Sequence, residues 1–460
     1  MQQTEQLLLT FYGDDFTGST DALEYLTLAG VRTVLFLRKP EEKDLERFSD
    51  VRAIGVAGKS RSMSPDEMNE ELVPVFEAIK KMNPQHFHYK VCSTFDSAPH
   101  VGNMGKAIAI GREVFEQQTA MILPAAPHLG RYCIFGNLFA KMGTFGNGQI
   151  YRVDRHPSMS NHPVTPAHES DLTLHLTKQT NQSIALVNVN TIEKGTETIL
   201  ESVAENKADI LFFDGLNNVH LDTIGTVFHQ LAQTKTLFSV GSSGVEMALG
   251  LAWKKSKILE GNVSFDVLAD VGPILVLSGS CSPVTAEQIE YATDMGFIQI
   301  ALDANAVNEV CRPNIIEEAA HQIIDNFNLG KCTIVHTSIG PQDPRIAVSE
   351  SYFREQGLAV DDVQKQCSKV YGNILGQIAK KVIAEVNIKR ILFAGGDTSS
   401  HAASELDIIA LEMIAPLAPG APLCKAISNN SQVNGLELNF KGGQVGTPDY
   451  FLKVLKGEKL

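Results

Sequence analysis

Short apolar runs that alternate with amphipathic segments recur along almost the whole sequence. The runs "EQLLLTFY", "TAMILPA" and "ADILFFDG" have the length and composition of buried strands, and "SPDEMNEELVPVFEAIKKM" has the period of a helix. Near the N-terminus the order is apolar run, small-residue turn, helix and apolar run, which is a β–α–β unit. Repetition of this unit predicts an α/β fold with a largely parallel sheet.

The alternation breaks once, around residues 254–270, and the break predicts a domain boundary. The segment "KKSKILEGNVSFDVLAD" is polar and mixed, and a new strand, "GPILVLSG", follows it. A chain of 460 residues is long enough for two or three domains. We therefore expect two α/β domains, residues 1–260 and 261–460, with a cleft between them.

Composition argues against several classes of protein. The formal net charge of −14 disfavours a general nucleic-acid-binding role, which needs a basic surface. The seven cysteines form no CxxC pair, which is typical of reduced thiols. The chain shows no signal-peptide pattern, and no uncharged apolar stretch reaches the roughly 18 residues that span a bilayer. We expect a cytoplasmic protein without nucleic-acid or membrane partners.

Several familiar motifs are incomplete. "GVAGKS" lacks the first glycine of a phosphate loop, no GxGxxG follows a strand, and "GSSG" lacks the spacing of a nucleophile elbow. The long Gly/Pro-rich segment 143–170 is predicted to be an aperiodic loop. Four histidines lie in or near it: His156, His162, His168 and His175. They could bind a metal, but without an i,i+4 pair or a cysteine, a polar loop that positions a substrate is favoured.

The turn "GDDFTGST" carries two adjacent carboxylates, Asp14 and Asp15, between a strand and a helix. One could cap the helix, but two exceed what capping needs. Two like charges about 4 Å apart cost about 4 kcal/mol at an effective dielectric near 20, so this turn would repel a phosphate. Carboxylates suit a hydroxyl group, as acceptors or as a base, and they suit Mg²⁺. We expect one of the two to be catalytic, and the sequence leaves open which one.

Cationic and hydroxyl groups follow two further strands of the first half. Arg61 lies in "GKSRSMSPDE", where an exposed loop is the alternative. Lys90 lies late in the strand "HFHYKVC", and Ser93 and Thr94 lie in the turn after it. A lysine late in a strand must reach solvent or meet an anion. Acceptors for hydroxyls beside cations for one anion predict a small polyhydroxy acid as ligand. Asp21, in the first turns of the helix, is interpreted as structural.

Three small-residue turns, each after an apolar strand, mark the second half: "SGSCS", "GGDTSS" and "KGGQVG". The carboxyl edge of an open α/β sheet is where ligands bind, and free amides at helix starts suit a phosphate. These turns contain Ser280, Ser282, Gly395, Gly396, Asp397, Thr398, Ser399, Gly443 and Gly446, and the family resemblance given below implies that they contact the nucleotide. The helix after the first turn is predicted to bury Val284, Ile289, Ala292 and Met295.

One half therefore suits a hydroxylated acid and the other suits a phosphate, and this pairing predicts a small-molecule kinase. Catalysis would rest on positioning and charge neutralisation, with Mg²⁺ bridging phosphates and an aspartate orienting or deprotonating the attacking hydroxyl.

The motifs "GDDFTGSTDALE", "KSRS", "YKVCSTFDS", "SNHPVTPAHESDL", "SGSCSPVTAEQI", "AGGDTSS" and "KGGQVG" resemble, in that order, the four-carbon acid-sugar kinase family, which includes threonate, erythronate and 3-oxo-tetronate kinases. The resemblance implies a sugar-acid-binding N-terminal domain, a nucleotide-binding C-terminal domain and ATP-dependent phosphorylation of a sugar acid. It places acid contacts at Asp14 or Asp15, Arg61 and the Lys90–Ser93 stretch. "STFDSAPHVGNMG" is nearer the 3-oxo-tetronate type, and Val445 stands where an aromatic residue is expected.

Two other functions stay open at this point. One is a metal-dependent sugar-acid aldolase or isomerase that uses Asp14, Asp15 and the loop histidines as ligands. The other is a non-catalytic sugar-acid-binding protein. The oligomeric state is open as well, and a homodimer is among the states expected.

Overall fold

The computed structural model describes residues 6–142, 148–160, 165–261 and 263–458. The contacts divide the chain into two compact units, Met1–Val263 and Ser264–Leu460. Each unit contains both helices and strands.

In the first unit the elements are β1 (Leu9–Gly13), α1 (Phe16–Ala29), β2 (Thr33–Phe36), α2 (Glu42–Leu45), β3 (Ala53–Ala57), α3 (Pro65–Lys81), β4 (His86–Lys90), α4 (Met104–Val114), β5 (Ala120–Leu123), β6 (Arg131–Ile134), β7 (Asn137–Lys141), β8 (Ile150–Arg152), α5 (Leu172–Thr177), β9 (Ile184–Val187), α6 (Val189–Ile192), α7 (Thr196–Glu205), β10 (Ile210–Phe213), α8 (Asn218–Leu231), β11 (Leu237–Gly241) and α9 (Gly244–Lys255).

Eight strands of the first unit form a parallel sheet in the order β2-β3-β1-β4-β11-β5-β10-β9. Its central strands β1, β4 and β11 are buried along their whole length, as expected when helices cover both faces of a sheet, although β4 carries His86, His88 and Lys90. Strands β6, β7 and β8 form a separate antiparallel sheet. Because β8 lies inside segment 143–170, the prediction of an unbroken aperiodic loop there is wrong.

Local chemistry explains where the helices beside the predicted site begin. The Ser64 side chain and Glu67 form a capping box at the start of α3, and Pro65 is its first residue. Asp15 is the N-cap of α1, and its side chain accepts from the Gly18 amide.

In the second unit the elements are β12 (Leu275–Ser278), α10 (Pro283–Asp294), β13 (Ile298–Ala301), α11 (Arg312–Asn328), β14 (Thr333–His336), α12 (Pro344–Glu355), α13 (Val360–Glu385), β15 (Arg390–Ala394), α14 (Gly396–Ser404), β16 (Ile408–Ala418), β17 (Ala421–Ser428), β18 (Glu437–Lys441) and α15 (Tyr450–Lys456).

The strands of the second unit lie in the order β13-β14-β12-β15-β18-β17-β16. The first five are parallel, and β17 and β16 continue the sheet as an antiparallel hairpin. The two units therefore confirm the predicted α/β class with largely parallel sheets. No helix in the described ranges is both long and apolar enough to cross a membrane.

The buried face of α10 differs from the predicted one. Ile289 and Ala292 are buried as expected, but Met295 is 54% exposed. Thr285 and Gln288 are fully buried in its place. These polar side chains donate hydrogen bonds to carbonyl groups of segment 443–447, which explains why the buried face is not purely apolar.

Candidate active site

Four adjacent parallel strands of the first unit end at the same level, and the turns after them carry the predicted residues. Gly13 of β1 pairs with Ala57 of β3 and with Lys90 of β4, and Lys90 pairs in turn with Gly241 of β11. Four segments therefore meet at one edge of the sheet: the turn with Asp14 and Asp15, the turn with Arg61, the turn that follows Lys90, and the start of α9.

Asp15 is saturated with partners. Its side chain accepts hydrogen bonds from the Thr17 hydroxyl at 2.7 Å and the Gly18 amide at 2.9 Å, and it forms an ion pair with Arg61 at 3.0 Å. Burial alone would raise the pKa of Asp15, but the Arg61 guanidinium and the Thr17 hydroxyl outweigh it and hold the pKa below its usual value. Asp15 is thus an ionised carboxylate that caps α1 and holds Arg61.

Asp14 has the opposite character. It is 3% exposed, and its Oδ1 atom is buried without a hydrogen-bond partner among the described residues. Its backbone is fixed by a hydrogen bond to the Lys90 carbonyl at 2.8 Å and by one from the Arg61 amide at 3.0 Å. Burial, with the neighbouring Asp15 charge, raises the pKa of Asp14 to about 8. A buried acceptor of this kind is expected to hold a proton and to meet a polar ligand group.

Lys90 meets its anion within the protein. The residue is 1% exposed, and its Nζ donates to the Val91 carbonyl at 3.0 Å and lies 3.5 Å from Asp21 Oδ2. Burial alone would lower the pKa of Lys90, but Asp21 and Glu246 outweigh it and raise the pKa, so this lysine stays protonated. A Cβ at Gly18 would lie 3.3 Å from Nζ, which places the ammonium group beneath the first turn of α1.

The turn after β4 carries Ser93 and Thr94, both half-buried. The Thr94 hydroxyl donates to Asp96 Oδ1 at 2.8 Å. Phe95, between Thr94 and Asp96, has a φ of 62°, a left-handed conformation that residues other than glycine rarely adopt. Strained backbone of this kind persists where the surroundings impose it, often at ligand sites.

Four further polar residues lie at this edge that sequence reasoning did not assign to the site. Asp21, expected to be structural, faces Lys90. Ser243 lies within 3.2 Å of His128 Nε2 in the turn after β11. Arg131 is half-buried, its Nε atom lacks a hydrogen-bond partner among the described residues, and the Asp96 charge acts on it. Ser243 and His128 have one sequence signal, a position after an apolar run, whereas Asp21 lies within α1 and Arg131 begins β6. Strand order decides which of these segments are neighbours.

Three of the four histidines in or near segment 143–170 lie within the described residues, and each has different surroundings. His156 is buried and its Nδ1 accepts from the Ser158 amide, His168 is exposed, and His175 lies 2.8 Å from the Ser97 hydroxyl. His162 lies outside the described residues. In the described ranges, no group of three His, Cys, Asp or Glu side chains could hold a metal ion.

The three predicted turns of the second unit follow adjacent parallel strands. Ser278 of β12 pairs with Ala394 of β15, which pairs with Lys441 of β18. The turns 279–282, 395–399 and 442–446 therefore begin side by side. The N-termini of α10 and α14 start in the first two of these turns, at Pro283 and Gly396.

Close backbone packing explains the glycines in these turns. A Cβ at Gly279 would lie 2.2 Å from Thr398 Cγ2, and one at Gly443 would lie 2.7 Å from Ser280 Oγ. Gly395 has a φ of 127°, which favours glycine. A Cβ at Gly396, in contrast, would meet no heavy atom within 4 Å, so the space beside this residue is open.

The hydroxyls of these turns organise the turns themselves. Ser282 caps α10 by accepting from the Val284 amide at 3.2 Å, and Ser280 Oγ accepts from the Ser282 amide at 3.2 Å. The Ser399 hydroxyl donates to the Gly395 carbonyl. Thr398 is 7% exposed, Gly446 has a φ of 96°, and the side chain of Asp397 lies outside what the structure describes.

Comparison with known proteins tests the resemblance. A family described as a sugar-binding N-terminal domain matches residues 9–249, and one described as a nucleotide-binding C-terminal domain matches residues 275–451. A 3-oxo-isoapionate kinase from Paraburkholderia graminis is 38% identical over 98% of this chain and 94% of its own. The chain belongs to the four-carbon acid-sugar kinase family. It is accordingly a phosphotransferase.

A second curated relative and one solved structure extend the comparison. A 3-oxo-tetronate kinase from Pseudomonas savastanoi is 27% identical, with 98% of this chain and 97% of its own covered. The crystal structure of a Haemophilus influenzae protein, 25% identical, superimposes with a TM-score of 0.70 over 98% of this chain and all of the other. The likeness runs through both units.

The residues present fit a nucleotide. In the second unit the tight glycine turns and two helix N-termini supply the amide donors that bind phosphates in kinases. Mg²⁺ in such enzymes takes one or two carboxylates and otherwise phosphate oxygens and water, so the lack of a three-ligand cluster in the described ranges is compatible with it.

Proposed function

We propose that this protein is an ATP-dependent kinase that phosphorylates an alcohol oxygen of a small, four-carbon-type sugar acid. The observation that carries the proposal is Asp14, a buried carboxylate with an unpartnered oxygen and a pKa raised to about 8. It lies beside Arg61 and Lys90, which suit an acid, in a turn that would repel a phosphate. The phosphate-binding turns belong to the other unit.

The names of the related kinases narrow the substrate to 3-oxo sugar acids. The relatives compared above act, by name, on 3-oxo-isoapionate and 3-oxo-tetronate, and the former is the more similar at 38% against 27%. We infer that this protein prefers an acid of the 3-oxo-isoapionate type and accepts 3-oxo-tetronate less well. Two metal-dependent or non-catalytic alternatives, the aldolase or isomerase and the binding protein, receive no comparable support.

In the proposed mechanism Asp14 acts as the base. Its Oδ1 accepts the proton of the substrate hydroxyl while the alcohol oxygen forms a bond to the γ-phosphorus and the bond to the β–γ bridging oxygen breaks. A base with a pKa near the working pH is well matched to this step. Asp15 does not move a proton, because Thr17, Gly18 and Arg61 engage it.

The two cations have different parts in the proposal. Lys90, buried and protonated, offsets Asp21 and the other carboxylates around it. Arg61, which pairs with Asp15 at 3.0 Å, would bind the carboxylate of the acid through its guanidinium group. Ser93 and Thr94, in the half-buried turn nearby, would bind hydroxyls of the acid.

The nucleotide would be bound by Ser280, Ser282, Gly395, Gly396, Asp397, Thr398, Ser399, Gly443 and Gly446. Mg²⁺, when bound, neutralises charge on the transferring phosphoryl group. A homodimer and a cytoplasmic location stay predictions of the sequence. Light scattering on the purified protein tests the first.

The direct test is ADP release with Mg-ATP and a panel of sugar acids that contains 3-oxo-isoapionate, 3-oxo-tetronate, threonate and erythronate. We expect release with the 3-oxo acids above the rate without acid. Release at the background rate with every acid would refute the proposal.

A further inference from the structure

Lys441 is a buried lysine that the proposed mechanism does not use. It ends β18 directly before the turn 442–447 and is fully buried. Its Nζ donates to the Thr285 hydroxyl at 3.0 Å and lies 5.8 Å from the centre of the Tyr450 ring. Burial is the cause that lowers its pKa to about 7, and no carboxylate opposes that shift.

A relay of hydrogen bonds leads from Lys441 to the glycine turn. The Thr285 hydroxyl accepts from Lys441 and donates to the Gly443 carbonyl at 2.9 Å. One helical turn later, Gln288 Nε2 donates to the carbonyls of Val445 and Thr447 at 3.0 and 3.1 Å. The carbonyl groups of Gly443, Val445 and Thr447 therefore face α10, the helix that follows the turn 279–282. Bonds in such a chain polarise and strengthen one another.

Two amides of the same turn have no backbone acceptor among the described residues, whereas the Val445 amide donates to the Gly442 carbonyl. Within the described residues, neither the Gly443 amide nor the Gln444 amide donates a hydrogen bond to another backbone group. The turn also packs closely against the turn 279–282, since a Cβ at Gly443 would lie 2.7 Å from Ser280 Oγ. A rotation of the Gly443 peptide would therefore disturb both this packing and the hydrogen bond from Thr285 to the Gly443 carbonyl.

A lysine that binds phosphate directly would look different. It would expose its ammonium group at the ligand, as the lysine of a phosphate loop does. Lys441 instead is fully buried inside the second unit, and its ammonium group donates a hydrogen bond to the Thr285 hydroxyl.

We infer that Lys441 and Thr285 are positioning residues for nucleotide binding. Through the Thr285 hydroxyl they fix the Gly443 carbonyl toward α10, and this fixes the amides of Gly443 and Gln444 toward a phosphate of the nucleotide. The inference rests on the proposed function, because it takes the nucleotide to be the ligand of this turn.

Four variants of the full chain test the inference: Thr285→Val, Thr285→Ser, Lys441→Met and the double variant Thr285→Val with Lys441→Met. Mg-ATP affinity is measured by calorimetry, and kcat and both KM values by ADP release. Thr285→Val and Lys441→Met should each weaken Mg-ATP binding roughly tenfold, as expected for one lost buried hydrogen bond. The double variant should be no weaker than either single variant, because both changes break one relay.

Thr285→Ser is the matched control, since it keeps the hydroxyl and should restore wild-type Mg-ATP affinity. The KM for the acid should stay within about twofold of wild type in all four variants, which general loss of structure would not allow. If Lys441→Met does not fold, the Thr285→Val and Thr285→Ser pair still decides the question.

Two results would overturn the inference. One is a loss of Mg-ATP affinity in Lys441→Met that far exceeds the loss in Thr285→Val, because that would make Lys441 a direct phosphate ligand. The other is unchanged affinity in Thr285→Val. A wild-type protein that binds Mg-ATP but releases no ADP with any acid would refute the proposed function instead, and the binding comparison among variants would keep its meaning.

Discussion

Replacing Asp14 with asparagine should make the protein more stable and inactive. The Asp14 carboxyl is buried beside the ionised Asp15, and burial with this neighbouring charge raises its pKa from the usual 3.8 to about 8. A carboxyl with a raised pKa favours the folded state least when pH is high, because the unfolded chain releases the proton more easily. Asparagine keeps the shape and has no proton to lose.

The size of the effect follows from the pKa shift. pH 7 lies about three units above the pKa of 3.8 that the Asp14 carboxyl has in the unfolded chain, so there the carboxyl is ionised. In the folded protein, with a pKa of about 8, most Asp14 side chains are still protonated at this pH. At about 1.4 kcal/mol per unit, the stability that Asp14→Asn restores is at most about 4 kcal/mol near pH 7. Near pH 5 it falls to about 1.5 kcal/mol, because only about one unit separates that pH from 3.8.

Urea unfolding of wild type and Asp14→Asn at pH 5 and pH 7 measures this directly. Asp15→Asn is the matched control with the opposite sign. The pKa of Asp15 is lowered in the fold, so its charge stabilises the protein above the unfolded pKa, and its removal should destabilise the protein at pH 7. An Asp14→Asn variant that is no more stable than wild type at pH 7, or whose gain is equal at both pH values, would refute the reasoning.

Three further predictions follow from the same geometry. kcat/KM for the acid should rise with pH up to about 8, since Asp14 must lose its proton to act as a base; a pH–rate profile that falls over this range would contradict this. Gly396→Val should fold normally, because a Cβ there meets no heavy atom within 4 Å, yet weaken ATP binding in calorimetry at least tenfold; unchanged affinity would remove Gly396 from the site. Gly18→Ala places a Cβ 2.4 Å from Asp15 Oδ1, so turnover should fall about tenfold with ATP affinity intact; full turnover would show that the position of Asp15 does not matter.

Much of the fold could be predicted from the sequence because parallel strands are buried on both faces, so most of them are short, largely apolar runs. The alternation of such runs with helical segments can therefore be recognised in the sequence alone. The three glycine and serine turns of the second half could also be recognised in the sequence, because they share a composition and each follows an apolar strand. That they follow adjacent strands depends on the order β12-β15-β18, which no local pattern encodes.

The choice between Asp14 and Asp15 could not be predicted. Both residues have the same chemistry, and the difference lies in Arg61, which arrives from the turn after β3 and pairs with Asp15. Asp21 shows the same limit: an acid early in a helix is ordinarily explained by the macrodipole, but here it faces Lys90 from β4.

The helix α10 shows a second kind of limit. An apolar stripe is predicted by period, yet Thr285 and Gln288 occupy buried positions because a distant turn supplies acceptors for them. Met295, predicted to be buried with the apolar stripe, is the C-cap residue of α10 and is exposed. Polar residues on a buried face are therefore a signal that only the partner segment explains.

The central claim is that Asp14 accepts a proton while a phosphoryl group moves from ATP to the acid, and product analysis tests it most directly. Wild type, Asp14→Asn and Gly396→Val are incubated with Mg-ATP and 3-oxo-isoapionate, and the phosphorylated acid is measured by mass spectrometry beside ATP affinity by calorimetry. The account predicts phosphorylated acid at the full rate from wild type alone, with ATP affinity kept in Asp14→Asn and weakened at least tenfold in Gly396→Val. Phosphorylated acid at the wild-type rate from Asp14→Asn would contradict it.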